Sequence, residues 1–267
     1  MSDVAVVTGA AGGMGVAVAR RLLSRSDRPA TLILADRDPD ALASTVDDLA
    51  ACAPATDIRP VTCDVSDEDA VAALFAVAAA AGRVTRVIHG AGVLGPGATV
   101  AETDLGGFDR VLAVNTRGTF LVLRAAARVM GEQGPGEGAD RAVTVIASNA
   151  AGVPRHGMGV YAASKAAASA LTRSLGLEVA GEGIRCNVVN PGSTDTAMQR
   201  DYWGDDAEAG RARVLGGDLA TARLGIPLGR IATADDVAEV VVFLSSPEAR
   251  HVVLQEIYVD GGATLHA

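Results

Sequence analysis

Short apolar runs alternate with longer amphipathic stretches along the whole chain. Residues 4–8, 31–35, 58–63, 84–89, 143–147, 184–190 and 254–259 are brief runs that carry Val, Ile or Leu at two or more positions each. They read as strands, and their lack of polar alternation says that both faces are buried. Between them, residues 15–24, 38–51, 67–81, 105–130, 160–180 and 233–244 read as helices. The Asp and Glu that open 67–81 suit the positive end of a helix dipole. The stretch 105–130 is long enough for one major helix. Seven strands separated by helices predict an α/β fold, a doubly wound parallel seven-stranded sheet covered on both faces. Two segments break the pattern. Residues 131–140 form a Gly-rich charged turn, read as an exposed loop. Residues 192–228 show no clear period yet hold Met198, Tyr202, the only Trp (Trp203), Leu215 and Leu224. A loop of that length inside a compact domain is usually functional, and a substrate lid is expected there. No linker or repeat divides the chain, so one domain over 1–267 is expected.

Composition narrows the partners. With 49% hydrophobic residues in 267, a core of useful size can be buried. The formal charge is -9, and no cluster of Lys and Arg forms a basic stripe, which argues against nucleic acid. No apolar run reaches the roughly 18 residues of a membrane span. Met1-Ser2-Asp3 lacks the charged start of a secretion signal. Cys52, Cys63 and Cys186 are odd in number and scattered, which fits a reducing, cytoplasmic setting better than a disulfide framework. His156, His251 and His266 have no metal-ligand spacing, so no metal is expected. Of 23 basic residues one alone is Lys, Lys165. Arg would serve for surface charge, so this position asks for a compact point charge.

After the first strand comes Thr8-Gly9-Ala10-Ala11-Gly12-Gly13-Met14-Gly15. Gly9, Gly13 and Gly15 allow a tight turn and a close approach of backbone to a pyrophosphate. The helix that follows offers free N–H groups and its positive dipole end. This is the start of a Rossmann-type dinucleotide site; the plain alternative is an ordinary Gly-rich turn. Asp36 ends the second strand, 21 residues after Gly15. Its carboxylate can accept from both ribose hydroxyls and would repel a 2′-phosphate, favouring NAD over NADP. Arg37 beside it can instead hold that phosphate or stack on adenine. Asp64, with Val65, can meet the adenine end, or Asp64 can be a helix N-cap. His89-Gly90-Ala91-Gly92 lets the backbone pass close to the cofactor.

Tyr161 and Lys165 are four apart on a predicted helix and so share a face. A nearby ammonium stabilises a phenolate, which would make Tyr161 a workable base. Ser148 follows the fifth strand at the carboxyl edge of the sheet and can hold a reacting oxygen, or simply cap a helix. Asn115 interrupts an apolar helix, where an unpaired amide costs about 1–3 kcal/mol.

Together these motifs resemble the short-chain dehydrogenase/reductase family, as do Pro191-Gly192 and the ending Val259-Asp260-Gly261-Gly262. The usual Asn is replaced by His89, where the backbone is expected to do the work. The resemblance implies NAD as cofactor, a homotetramer built on the helices at 105–130 and 160–180, and Ser148, Tyr161, Lys165 and Asn115 as the catalytic set. It implies that Tyr161 and Lys165 also touch the dinucleotide, that Asn115 orders a proton-relay water, and that Pro191, Gly192, Thr194 and Thr196 lie near the carboxamide. A closer likeness lies in Pro154-Arg155-His156-Gly157-Met158, Arg185-Cys186-Asn187-Val188-Val189, 191–199 and Gly225-Ile226-Pro227-Leu228. It is to members of the family that oxidise 2,3-dihydro-2,3-dihydroxybenzoate to the catechol acid of siderophores. That likeness implies a small carboxylated cyclohexadiene substrate, with Arg155, Met158 and Gln199 as its contacts. Arg155 suits a carboxylate through paired hydrogen bonds, or it is a plain surface Arg in a loop. Ala197 departs from the usual Asp and leaves a second reading, trans-2,3-dihydro-3-hydroxyanthranilate, open. A ketone or 3-oxoacyl reductase preferring NADPH, and a catalytically idle NAD-binding regulator, are the other readings; Asp36 argues against the former and the full catalytic set against the latter.

Overall fold

A computed structural model describes residues 2–134, 140–203 and 206–265, so half of the Gly-rich turn at 131–140 and His266 lie outside the described residues. Seven parallel strands form one sheet: β1 (Asp3–Thr8), β2 (Thr31–Asp36), β3 (Asp57–Thr62), β4 (Arg83–His89), β5 (Arg141–Ile146), β6 (Ile184–Pro191) and, last in the chain, β9 (Glu256–Val259). Their order is β3-β2-β1-β4-β5-β6-β9. The strand order reverses between β1 and β4, which opens a crevice above their carboxyl ends. β5 and β6 are buried along their full length, as expected for strands covered on both faces. β3 is one of the two edges, and its residues are exposed or half-buried throughout, so the two-sided burial expected for 58–63 fails where no strand lies beyond it; Pro60 is tolerated there because an edge strand can spare an N–H.

Helices cover both faces. One apolar layer packs β1, β4 and β5 against α3 (Glu68–Ala81) and α5 (Thr119–Glu132), through Val6, Leu74, Phe75, Val122, Ala126 and Val143. The other packs them against α1 (Gly13–Leu23), α2 (Pro39–Cys52) and α9 (Ala234–Leu244), through Val7, Val18, Leu22, Leu42, Val237 and Val241. Asp38, Asp67 and Thr233 cap α2, α3 and α9 with their side chains, satisfying first-turn N–H groups. α1 follows Gly12, an N-cap with no side chain to bond, and has no acidic residue in its first turn, so its N–H groups stay available to a ligand.

The single helix expected at 105–130 is broken. α4 (Leu105–Leu112) runs into a π-helical turn (Ala113–Gly118) before α5. Asn115 sits in that turn: its Oδ1 accepts from Val93 N (2.8 Å), and its Nδ2 donates to Val93 O (2.9 Å) and Ser164 Oγ (3.0 Å). The widened turn turns a buried amide toward those partners, a distortion that a hydrophobic period does not reveal. The aperiodic stretch 192–228 holds α7 (Ala197–Trp203), α8 (Ala207–Gly216) and a small antiparallel ribbon of β7 (Gly217–Asp218) and β8 (Arg223–Leu224). Trp203 packs with Val214, Ile226, Ile231 and Ala263 in a small satellite core. α6 (Gly159–Val179) lies across β6 and carries Tyr161 and Lys165. Among the described residues, no helix is long and apolar enough to cross a membrane.

Candidate active site

The turn after β1 is bent by need. Gly9 has φ +68°, and a Cβ on Gly15 would sit 2.1 Å from Gly9 O, so neither position accepts a side chain. Gly9, Gly13, Met14, Gly15, Asp36, Arg37, Asp64, Val65 and Gly92 line one cleft above the carboxyl ends of β1 and β4. Asp36 Oδ2 accepts from Ala11 N (3.0 Å), so this carboxylate braces the turn that it faces. Asp64 is not a helix cap: its Oδ1 accepts from Ser66 N and Ser66 Oγ, while Asp67 caps α3. Those two bonds hold the Asp64 carboxyl below the usual range, and Arg37 adds to the effect. Val65 is buried in the core beside Gly118, where a Cβ would meet Val65 Cγ2 at 2.8 Å.

His89 does more than lend its backbone. The ring is buried, its Nδ1 is 2.7 Å from Thr8 Oγ1 and its Nε2 is 3.0 Å from Thr119 Oγ1. Thr119 Oγ1 donates to Asn115 O (2.6 Å), so it must accept from Nε2–H, which leaves Nδ1 to accept from Thr8. A directed chain of hydrogen bonds thus joins the end of β1 to the π turn. Burial, and after it the charge of Lys165, pushes His89 down to about 3, so the ring stays neutral.

On α6, Lys165 Nζ lies 5.9 Å from the centre of the Tyr161 ring and donates to Ile146 O (3.1 Å). A Cβ on Gly92 would meet Lys165 Nζ at 3.0 Å and Asn115 Oδ1 at 3.2 Å, so the ammonium and the amide sit just behind the dinucleotide cleft. Ser164 ties this group together, accepting from Asn115 Nδ2 and donating to Tyr161 O (2.7 Å). The Tyr161 ring and the Ser148 hydroxyl line the same cavity, and Ser148 pulls the phenol down. Ser148 also caps the short turn at Asn149–Ala151 by accepting from Ala150 N (3.1 Å), and its own N–H donates to Asn190 Oδ1 (3.2 Å), so the cap reading holds for a residue that also lines the Tyr161 cavity. Burial raises the phenol above its usual pKa, against the pull of Ser148. Burial also pushes Lys165 down to about 8. The ammonium was expected to pull the phenol down; here burial sets the direction, and Ser148 is the group that pulls the other way.

Ser148, Tyr161, Arg155, Met158, Gln199, Pro191, Gly192, Thr194 and Thr196 line a second cavity that adjoins the first. Met14, Thr196 and Met198 line both, and mark where the two meet. Sequence reasoning missed Leu94, Ser193 and Arg223, which also line the second cavity. Arg223 lies in the stretch without a period, and its one sequence signal is its place two residues before Gly225-Ile226-Pro227-Leu228. Ala197 faces the dinucleotide cleft and is absent from the lining of the Tyr161 cavity. Among the described residues no cluster of His, Cys, Asp and Glu offers a metal site.

A family model described as enoyl-(acyl carrier protein) reductase matches residues 9–264. A 2,3-dihydro-2,3-dihydroxybenzoate dehydrogenase of Bacillus subtilis (strain 168) is 39% identical over 263 residues, 98% of this chain and 96% of that protein. A protein of the same name from Escherichia coli (strain K12) is 45% identical over 188 residues, 69% of this chain and 71% of that protein. The actinorhodin polyketide ketoreductase with NADPH superposes with a TM-score of 0.87 at 29% identity, covering 99% of this chain and 98% of that one. The 3-ketoacyl-(acyl-carrier-protein) reductase from Brucella melitensis complexed with NADH gives 0.83 at 27%, covering 98% of both. The two structural neighbours hold different nicotinamide dinucleotides. A likeness that runs from the first strand to the last leaves one assignment, and this chain is a member of the short-chain dehydrogenase/reductase family.

Proposed function

We propose that the protein is an NAD-dependent dehydrogenase that oxidises the ring C3 alcohol of 2,3-dihydro-2,3-dihydroxybenzoate to give aromatic 2,3-dihydroxybenzoate. The observation that carries this reading is one shared cavity, in which Ser148 and Tyr161 stand with Arg155, Met158 and Gln199 beside the dinucleotide cleft. The names of the Bacillus and Escherichia relatives support the substrate.

The residues fit a nicotinamide dinucleotide: α1 starts without a cap and the Gly9–Gly15 turn leaves room for backbone approach. Gly9, Gly13, Met14, Gly15, Asp36, Arg37, Asp64, Val65 and Gly92 would hold its adenosine and pyrophosphate, and Tyr161, Lys165, Pro191, Gly192, Thr194 and Thr196 its nicotinamide half. When bound it supplies the hydride acceptor. Asp36 favours NAD by repelling a 2′-phosphate. Ser148 holds the C3 oxygen, Tyr161 takes its proton, and Asn115 and Lys165 position the Tyr161 end of α6. Arg155 pairs with the substrate carboxylate while Met158 and Gln199 flank the ring. The ketone so formed tautomerises to an aromatic ring, which drives the reaction towards oxidation. The Ala197 departure lies on the dinucleotide side, so it gives no reason to prefer the 3-amino substrate. Residues 192–228 act as the lid. A homotetramer is supported by exposed Leu105, Phe108, Phe120 and Leu177 on α4, α5 and α6. Buried Cys63 and Cys186, pushed up to about 11 and about 12 by burial, stay as thiols, which suits a cytoplasmic setting.

The test is direct. Protein, NAD and the dihydrodiol acid should yield NADH and the catechol acid in equal amounts, with NADP far less effective. Tyr161→Phe should abolish turnover and leave dinucleotide binding intact; an unchanged kcat removes Tyr161 as the base. Reduction of 3-oxoacyl thioesters with NADPH, and no oxidation of the acid, would replace this reading with the reductase.

A further inference from the structure

Two guanidiniums stand in the wall between the Tyr161 cavity and an outer cavity beside it. Arg155 and Arg223 line both. They come from distant parts of the chain, Arg155 from the loop ahead of α6 and Arg223 from β8. Among the described residues, every ion pair uses other basic side chains. Arg223 is half-buried, and its Nη2 donates to Ser193 Oγ (3.1 Å). Asp218, its backbone partner across the ribbon, spends its carboxylate on Ala220 N (2.9 Å). Asp260, the carboxylate whose charge favours the Arg155 cation, already accepts from Asn149, Gly262 and Thr264. Burial first, and then the charge of Arg223, disfavours the cation of Arg155. Among the described residues, the fold therefore holds two like charges at one cavity wall with no carboxylate ion-paired to either. Such a pair is costly unless a ligand brings the anion. A planar guanidinium is built to take a carboxylate, and two can take both of its oxygens.

We propose that Arg223 is the second arm of a two-arginine clamp on the substrate carboxylate, closing from the ribbon while Arg155 holds from the loop ahead of α6. The idea rests on the carboxylated substrate proposed above. It makes Arg223 a specificity-determining residue, and it gives the ribbon a purpose: a Cβ on Gly217 (φ +81°) would meet Arg223 O at 2.6 Å, so a glycine there lets the two short strands lie close and present the arginine. It also places the acid on one wall and leaves the ring in the space shared with Ser148 and Tyr161.

The probes are 2,3-dihydroxybenzoate and its uncharged carboxamide, binding to NAD-loaded wild type, Arg223→Met, Arg223→Gln and Arg223→Lys. The wild type should prefer the acid by about tenfold or more, the size of a charge-assisted bond. Arg223→Met and Arg223→Gln should lose acid affinity by about tenfold or more and keep amide affinity within about twofold. KM for the dihydrodiol acid should rise in parallel, with kcat nearly unchanged, and Arg223→Lys should recover part of the acid affinity. The clamp is overturned if the variants bind the acid as the wild type does, or lose acid and amide alike. If the wild type fails to oxidise the dihydrodiol acid but its acid preference still collapses without Arg223, the clamp stands and the substrate assignment falls. If oxidation proceeds and loss of Arg223 leaves KM unmoved, the assignment stands and the clamp falls.

Discussion

Lys165 shows what a single residue costs and why the chain keeps it. Its side chain is buried, no carboxylate pairs with it among the described residues, and its one hydrogen bond is to Ile146 O. A drop from 10.5 to about 8 corresponds to about 3 kcal/mol set against folding while the ammonium is charged. The sign is fixed by linkage. The unfolded chain holds this proton up to about pH 10.5 and the folded one gives it up near 8, so the penalty is full below pH 8 and is lifted as pH rises to 10.5. Lys165→Met should therefore be more stable than the wild type at pH 7 when no dinucleotide is added, with the gain fading above pH 8, and it should be inactive. Denaturant melts at pH 7 and pH 10 check this, and a loss of stability at pH 7 would refute it. The lone Lys and its spacing from Tyr161 were readable in the chain. The work of His89 was not: its ring joins Thr8 to Thr119, residues 81 and 30 positions away.

At the scale of elements, the π turn is the joint between scaffold and site. It lets Asn115 fasten the strand-end loop at Val93 to Ser164 on α6, so the dinucleotide cleft and the helix of Tyr161 share one brace. Asn115→Ala would leave Val93 N–H and C=O unpaired and should cost about 2–3 kcal/mol. The measurement is the shift in denaturant midpoint together with kcat; a stable variant of normal activity would show that the brace is idle. The long apolar run at 105–130 predicted a helix and could not predict its break, because the cause lies in partners on other elements. The uncapped start of α1, by contrast, follows from glycines visible in the chain. The ribbon of β7 and β8 was hidden for another reason: two-residue strands have no period to detect.

For the whole molecule, the sheet order brings the turns after β1, β4, β5 and β6 to one edge, and from them the two adjoining cavities are built. Leu105, Phe108, Phe120 and Leu177 remain exposed on the α4, α5 and α6 side. If that side joins the subunits of the proposed tetramer, Phe108→Glu with Leu177→Glu should shift the protein to smaller species in light scattering after gel filtration. An unchanged mass would place the contact elsewhere. Apolar period, glycine turns and i, i+4 spacing are local, so the α/β class, the parallel sheet and the pairing of Tyr161 with Lys165 were all legible from residues alone. Which distant residues meet depends on strand order and on how helices lie across it. That is why the Asn115 brace, the His89 chain and the approach of Arg223 to Arg155 emerged with the folded chain: each joins positions that no local pattern relates, and their contact follows from the packing of the sheet and its covering layers.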